Sequence, residues 1–142
     1  MTDAEIRDLL LTTRRIAVVG ASDRPGRPSH GVFRFLLDRG YEAVPVNPQL
    51  AGGAVHGVQA VATLAEAAPL DMVDIFRRSA DAGEVVDEAI RLGARAVWLQ
   101  LGVINQAAAA RARAAGLLVV MDRCPAIEWR RLELPPRIPA RS

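Results

Sequence analysis

Four polar or flexible residues that directly follow one apolar run have the chemistry of a phosphate site. The run 16–19 is followed by Gly20, Ser22, Arg24 and Arg27. A glycine lets a ligand approach the backbone, a serine offers a hydroxyl, and arginine forks match phosphate oxygens. A helical pattern begins near Ser29, so the positive end of a helix dipole would face the same place. The stretch predicts an anion site, and the alternative is an ordinary strand-to-helix connection whose polarity only reflects solvent.

The same loop lacks the fingerprint of a dinucleotide site. That fingerprint needs a second glycine two residues after the first, and Ser22 stands at that place. It also needs an acid near the end of the next strand to hold a ribose hydroxyl, and the chain has Val46, Asn47 and Pro48 there. A nicotinamide cofactor is therefore disfavoured.

The sequence contains no combination of residues that completes a catalytic or metal centre. The two histidines, His30 and His56, are far apart in the chain, and a single cysteine does not give metal-ligand spacing. We expect His30 to bond backbone at a helix start, with contact to the phosphate loop as the alternative, and His56 to be exposed. All 18 basic residues are arginine, which excludes Schiff-base chemistry on lysine.

Three other polar residues lie in or just after apolar runs. An unpaired carboxylate would be costly at Asp74, so we expect a hydrogen-bonding or arginine partner for it. Asp122 could accept hydrogen bonds from a ribose or a base. Cys124 either fills space as a small buried residue or faces a ligand, with its thiolate favoured by the adjacent Arg123. The sequence leaves both interpretations of Cys124 open.

Length, composition and charge limit the class of protein. The chain has 142 residues, 51% of them hydrophobic, which suits one domain with a single core. The formal net charge is +2 and the acids are spread among the arginines, so we expect no nucleic-acid partner. One cysteine and no apolar leader favour a cytoplasmic protein. No apolar run approaches the roughly 20 residues of a membrane span, so we expect no membrane association.

Five apolar runs alternate with helical patterns and would position these residues. The predicted strands are 16–20, 41–46, 71–76, 96–99 and 117–121. Right-handed crossovers then predict an α/β fold, a doubly wound five-stranded parallel sheet that is Rossmann-like, with strand order 3-2-1-4-5. The domain would comprise residues 1–132, and the Pro-rich residues 133–142 would form a loosely ordered C-terminal tail.

The predicted sheet collects polar residues at one edge. Ser22, Asn47, Arg77, Gln100 and Cys124 each fall just after a predicted strand. The carboxyl ends of parallel strands meet at one edge, and ligands bind there in such folds. These five side chains would therefore line one ligand site.

Five sequence blocks, in order, resemble the small single-domain CoA-binding proteins. The blocks are residues 20–22 with 27–30, 45–48, 73–78, 96–103 and 121–125. This family is similar in turn to the CoA-binding domain of the succinyl-CoA synthetase α subunit. The resemblance extends from residue 6 to residue 132.

The resemblance implies that coenzyme A binds across the strand ends. The implied contacts are Gly20, Ala21, Ser22 and Arg24 for the phosphates, Asn47 and Pro48 for the adenosine, Phe76 and Arg77 for the adenine and ribose side, and residues 100–103 for the pantetheine. The last range includes Gln100, Gly102 and Val103. Pro25, Ser29 and Cys124 complete the predicted set of cofactor contacts.

We therefore expect a protein that binds coenzyme A or an acyl-CoA and has no catalytic set of its own. The larger ligases also need a phosphorylated histidine in a separate domain and a nucleotide-grasping subunit, and we expect neither in this chain. Two alternatives stay open: a Rossmann-class enzyme that uses NAD(P) or a nucleotide, and a regulatory module that responds to CoA. The sequence also leaves a protein partner and a homo-oligomeric state open.

Overall fold

The computed structural model describes residues 1–135, which form helices, strands and short connections. The helices are α1 (Asp3–Thr12), α2 (Pro28–Asp38), α3 (Ser79–Arg91), α4 (Gln106–Ala114) and α5 (Pro125–Arg131). The strands are β1 (Arg15–Val19), β2 (Glu42–Val46), β3 (Ala54–Val55), β4 (Val58–Gln59), β5 (Met72–Ile75), β6 (Ala96–Leu99) and β7 (Leu118–Met121). None of these helices is long and apolar enough to cross a membrane.

Five of the strands form one parallel sheet in the order β2-β1-β5-β6-β7. Helices α1, α2 and α5 pack on one face of the sheet, and α3 and α4 pack on the other. This is the doubly wound, Rossmann-like fold that the sequence predicts. β3 and β4 form a separate antiparallel hairpin in the connection from β2 to β5.

The structure corrects the predicted strand order 3-2-1-4-5. Counting only the five strands of the parallel sheet, the order is 2-1-3-4-5, because β5 pairs with β1 and not with β2. Pro45 in β2 gives the physical reason. Its carbonyl faces away from β1 and accepts the N–H of Val61, and its nitrogen, on the same side, has no hydrogen to donate. A strand with proline on that side suits the edge of the sheet and not the centre.

Both faces of the sheet are buried, which explains the uninterrupted apolar runs. In β1, Ile16 and Val18 pack against α1, α2 and α5, while Ala17 and Val19 pack against α3 and α4. Successive side chains of a strand point to opposite faces, so a strand covered on both sides is apolar at every position. The core is therefore two layers, one on each side of the sheet.

Identified contacts fix the start of α1 and the described residues just past α5. A capping box fixes the start of α1: the Glu5 N–H donates to the Thr2 hydroxyl, and the Thr2 N–H donates to the Glu5 carboxylate. Near the other end Leu134 is buried among the residues of the α1, α2 and α5 layer, so packed chain continues past residue 132. The rest of the predicted tail, residues 136–142, lies outside the described residues.

Candidate ligand-binding site

A cleft of about 750 Å³ opens at the carboxyl end of β1, and we call it the loop cleft. Its wall comes from the loop after β1, the first turn of α2, the loop after β2 and the end of β5. Predicted contact residues on this wall are Gly20, Ala21, Ser22, Arg24, Ser29, Asn47 and Phe76. The sheet therefore brings most of the predicted phosphate and adenosine contacts to one place.

The loop cleft depends on Gly20, the first residue after β1. Its φ is +87°, a conformation that costs a glycine little. A Cβ at this position would lie 2.0 Å from the carbonyl oxygen of Phe76. The Phe76 N–H also donates to the Val19 carbonyl at 2.8 Å, so the loops after β1 and β5 are in close contact. Only a glycine allows that contact.

Two side chains hold the loops of the cleft in place. The Ser22 hydroxyl accepts the Arg24 N–H at 3.1 Å, which leaves its own hydrogen able to bind an anion. The Asn47 amide donates to the Ala21 carbonyl at 2.9 Å and accepts the Gln49 N–H at 3.0 Å. Asn47 thus joins the loop after β2 to the loop after β1.

The loop cleft carries positive charge at the start of α2. Arg24 and Arg27 lie on its wall, with Asp23 as the acidic residue beside them. Arg27 is the N-cap of α2 and makes no side-chain capping bond, and Pro28 is the first residue of the helix. The positive end of the helix dipole and two guanidinium groups therefore act at one place, as an anion site requires.

A second, apolar cleft of about 530 Å³ adjoins the loop cleft. The two clefts share Pro28 and Phe76. Predicted contacts on the wall of the apolar cleft are Phe76, Arg77, Gln100, Val103 and Cys124. Leu101, which falls in the predicted pantetheine range 100–103, and Ile127, which was not predicted, also line it. The carboxyl edge of the sheet therefore offers a charged cleft and an apolar cleft side by side.

Three predicted contacts lie on neither wall. Pro48 lines a depression of about 370 Å³ beside α3, on the opposite face of the sheet. Pro25 lines neither the loop cleft nor the apolar cleft. Gly102 has φ +86° and donates its N–H to Asp122 at 2.7 Å. Asp122, which we expected to be available to a ribose or a base, thus holds the turn after β6.

Asp74 differs from the sequence expectation. It is fully buried, and neither carboxylate oxygen has a hydrogen-bond partner among residues 1–135. Its register partners are Val18 and Trp98, and like them it points into the α1, α2 and α5 layer. Burial raises the pKa of the Asp74 carboxyl well above its ordinary value. The expected partner is not found in this part of the chain.

Gln100 and Cys124 are both more than nine-tenths buried beside the apolar cleft. The Gln100 side-chain oxygen has no hydrogen-bond partner within the described residues. Cys124 packs in the core and also lines the cleft, so both interpretations of it remain compatible with the structure. The Arg123 guanidinium donates to the buried Glu128 at 2.9 Å. The arginine that the sequence analysis placed beside the thiol is therefore already paired with a carboxylate.

The two histidines are in contact with each other. Their ring centroids are 3.9 Å apart, and His56 Nε2 lies 2.9 Å from the His30 carbonyl oxygen. His56 is thus half-buried, whereas the sequence predicted an exposed side chain. Neither histidine lines the loop cleft or the apolar cleft, and the described range holds no group of three potential metal ligands.

Comparisons with known proteins identify the family and the fold of the chain. The sequence model of the CoA binding domain family matches residues 14–130. The uncharacterized protein YneT of Bacillus subtilis (strain 168) is 43% identical over 122 residues, which are 85% of this chain and 89% of YneT. A solved structure from Thermus thermophilus, cell-free ID.343, is 38% identical with a TM-score of 0.87, over 93% of this chain and 99% of that one.

A more distant structure contains the same fold within a larger enzyme. The dinucleotide-forming acetyl-coenzyme A synthetase 1 of Ca. Korarchaeum cryptofilum is 21% identical with a TM-score of 0.68, over 81% of this chain and 27% of the synthetase. At that identity the similarity concerns the fold alone. The family match covers most of the chain and confirms the resemblance seen in the sequence blocks. The chain belongs to the CoA binding domain family.

Proposed function

We propose that the protein binds coenzyme A or an acyl-CoA, with the nucleotide in the loop cleft and the pantetheine arm in the apolar cleft. The observation that carries this proposal is the order of the two clefts, which share Phe76 and Pro28. Coenzyme A has a multiply charged nucleotide joined to a long arm that carries no charge. A charged cleft that continues into an apolar one matches that order.

The phosphates would bind at the start of α2. Arg24 and Arg27 supply charged donors, Ser22 a hydroxyl, and α2 the positive end of its dipole. Asn47 would border the adenosine while it holds the loops together. Phe76, at the junction of the clefts, would lie between the adenine side and the arm.

We favour coenzyme A over NAD for two reasons found at the same loops. Ser22 replaces the glycine that lets a pyrophosphate approach the backbone, and its hydroxyl bonds the Arg24 N–H. Asn47, at the end of β2, stands where a dinucleotide site has a carboxylate for the ribose hydroxyls, and its amide oxygen already accepts the Gln49 N–H. We also propose that the protein acts by binding alone, since neither cleft wall pairs a nucleophile with a base.

Isothermal titration calorimetry with coenzyme A and with NAD⁺ tests the proposal. We expect saturable binding of coenzyme A with one site per chain, and an affinity for NAD⁺ at least about tenfold weaker, which corresponds to about 1.4 kcal/mol. Equal affinity for the two ligands, or binding of NAD⁺ alone, would contradict it.

A further inference from the structure

The rim of the apolar cleft has unusually exposed apolar side chains. Leu101 is 59% exposed and Ile127 is 48% exposed, and both line the cleft. Ile104, in the same connection as Leu101, is 47% exposed. Only two other large apolar residues, Met1 and Leu92, are exposed among residues 1–135. Two of the five exposed large apolar side chains of residues 1–135 therefore line the apolar cleft, and a third lies in the connection that carries Leu101.

The interior of the cleft is also mostly apolar. Val32 and Val103 are buried on its wall, and Phe76 lines both this cleft and the loop cleft. Gln100 also lines the cleft, and its side-chain oxygen is itself buried without a hydrogen-bond partner within residues 1–135. At the rim, Leu101 and Ile127 offer exposed apolar side chains to a ligand in the cleft.

We infer that this end of the apolar cleft binds the acyl chain of an acyl-CoA, and that the chain is apolar and several carbons long. The inference rests on the proposed function and adds the class of ligand. The loop cleft and the apolar cleft share two wall residues, so a chain attached to the arm would reach the rim without leaving the protein surface. Each methylene that it buries against Leu101 and Ile127 removes apolar surface from water on both partners.

A carboxylate at the end of the acyl chain fits the site less well. Arg77 and Arg78 lie on the same wall, but Arg78 donates to Asp81 at 2.9 Å and Arg77 also borders the depression on the opposite face of the sheet. The side chains at the outer rim, Leu101 and Ile127, have no group that pairs with a carboxylate. A methyl end is therefore expected to bind more tightly than a carboxylate end.

Calorimetry with acetyl-CoA, butyryl-CoA, hexanoyl-CoA and succinyl-CoA tests the inference. Full burial of a methylene increases the affinity about fourfold, and partial burial in an open cleft increases it about twofold. We expect hexanoyl-CoA to bind at least about tenfold more tightly than acetyl-CoA, and butyryl-CoA to bind more tightly than succinyl-CoA, which has the same number of acyl carbons.

Two matched variants locate the effect. Ile127→Ser should reduce the gain from acetyl-CoA to hexanoyl-CoA by about threefold or more. Leu92→Ser removes an exposed apolar side chain that lies at the end of α3 and outside both cleft walls, and it should leave the gain unchanged.

The outcomes separate this inference from the proposed function. If coenzyme A itself binds no better than NAD⁺, the proposed function fails. If coenzyme A binds but the acyl series is flat, or succinyl-CoA binds most tightly, the acyl site is wrong and the function stands. The acyl series could also be flat because the wild type is a dimer, which analytical ultracentrifugation would detect. If Ile127→Ser dissociates that dimer, a second copy of the chain covers the rim, and the inference is overturned.

Discussion

Asp74 is the residue whose chemistry the fold alters most. Both of its oxygens are buried without a donor in the described part of the chain, so the neutral acid is the favoured form in the folded protein. In the unfolded chain an aspartate titrates near pH 3.9. Between that pH and the raised pKa, the folded state binds one more proton than the unfolded state. Asp74 therefore makes the protein less stable as the pH rises above about 4.

Replacing Asp74 by asparagine removes this titration and keeps the shape of the side chain. We expect the free energy of unfolding of Asp74→Asn, minus that of the wild type, to increase as the pH rises from 4 to 8, by up to about 1.4 kcal/mol per pH unit. Urea unfolding at a series of pH values measures this difference. Asp87→Asn, which removes a surface partner of Arg111, is the control and should change stability by about 1 kcal/mol or less. A difference for Asp74→Asn that does not vary with pH would contradict the account.

Arg24 is the side chain we expect to contribute most directly to phosphate binding. Hydrogen bonds to charged groups contribute about 1.5–3 kcal/mol, so Arg24→Ala should weaken coenzyme A binding by roughly tenfold or more. The fold should be unaffected, because Arg24 is exposed. Arg34→Ala is the matched control: Arg34 is in α2, pairs with Asp38 at the surface and lines neither cleft. Calorimetry on both variants decides, and unchanged affinity in a folded Arg24→Ala protein would place the phosphates elsewhere.

At the scale of elements, the loop between β1 and α2, residues 20–27, connects the sheet to the site. Gly20 lets the loop after β1 touch the backbone at Phe76, and the start of α2 follows a few residues later. The loop after β2 is attached to the same loop through the Asn47 amide. The loops after β1, β2 and β5 thus form one wall. A substitution at Gly20 would therefore be expected to displace all three loops.

The variant Gly20→Ala tests this dependence. Any L-residue at such a positive φ costs about 1–2 kcal/mol, and here the new Cβ would also lie 2.0 Å from the Phe76 carbonyl oxygen. Gly116 has nearly the same φ, +89°, with open space around a Cβ, so Gly116→Ala measures the backbone cost alone. We expect Gly20→Ala to lose clearly more stability in urea unfolding than Gly116→Ala. Equal losses would mean that the close contact at Phe76 adjusts easily.

Part of this arrangement follows from the sequence by simple rules. Apolar runs and helical spacing predict all five strands of the parallel sheet, since both of its faces are buried. Pro45 also indicates that the second strand lies at an edge of the sheet, because proline lacks the backbone donor that a central strand needs. The correct strand order could have been predicted from it. Asn47 and Pro48 show why neighbours in a motif need not share a site. In extended chain adjacent side chains point to opposite faces, and here Pro48 borders the other side of the sheet.

Other features depend on how distant segments pack, and the sequence does not determine them. Whether a residue within 1–135 bonds Asp74 depends on the surrounding layer, to which α1, α2 and α5 all contribute. The direction of Cys124 depends on how α5 packs, and the side chain both fills the core and borders a cleft. The apolar rim combines Leu101 from the connection after β6 with Ile127 from α5, which lie 26 positions apart in the chain.

At the scale of the whole molecule, the sheet separates two layers of helices, and the candidate site lies beside only one of these layers. The loop cleft and the apolar cleft both lie at the carboxyl edge, beside α2 and the layer that contains Cys124. The start of α2 combines Arg24 and Arg27 with the positive end of the helix dipole, whereas the end beside α5 has exposed Leu101 and Ile127, with Arg77 and Arg78 also on that cleft wall. We propose that this difference orients coenzyme A, with its nucleotide held at one end and its thiol directed to the other.

Native mass spectrometry on the protein mixed with equal concentrations of coenzyme A and NAD⁺ tests the central claim most directly, because both ligands compete for one sample and differ clearly in mass. The account predicts a single adduct at the mass of one coenzyme A per chain, and a weaker adduct for Arg24→Ala than for Arg34→Ala. An NAD⁺ adduct as abundant as the coenzyme A adduct, or a coenzyme A adduct that Arg24→Ala does not reduce, would contradict it.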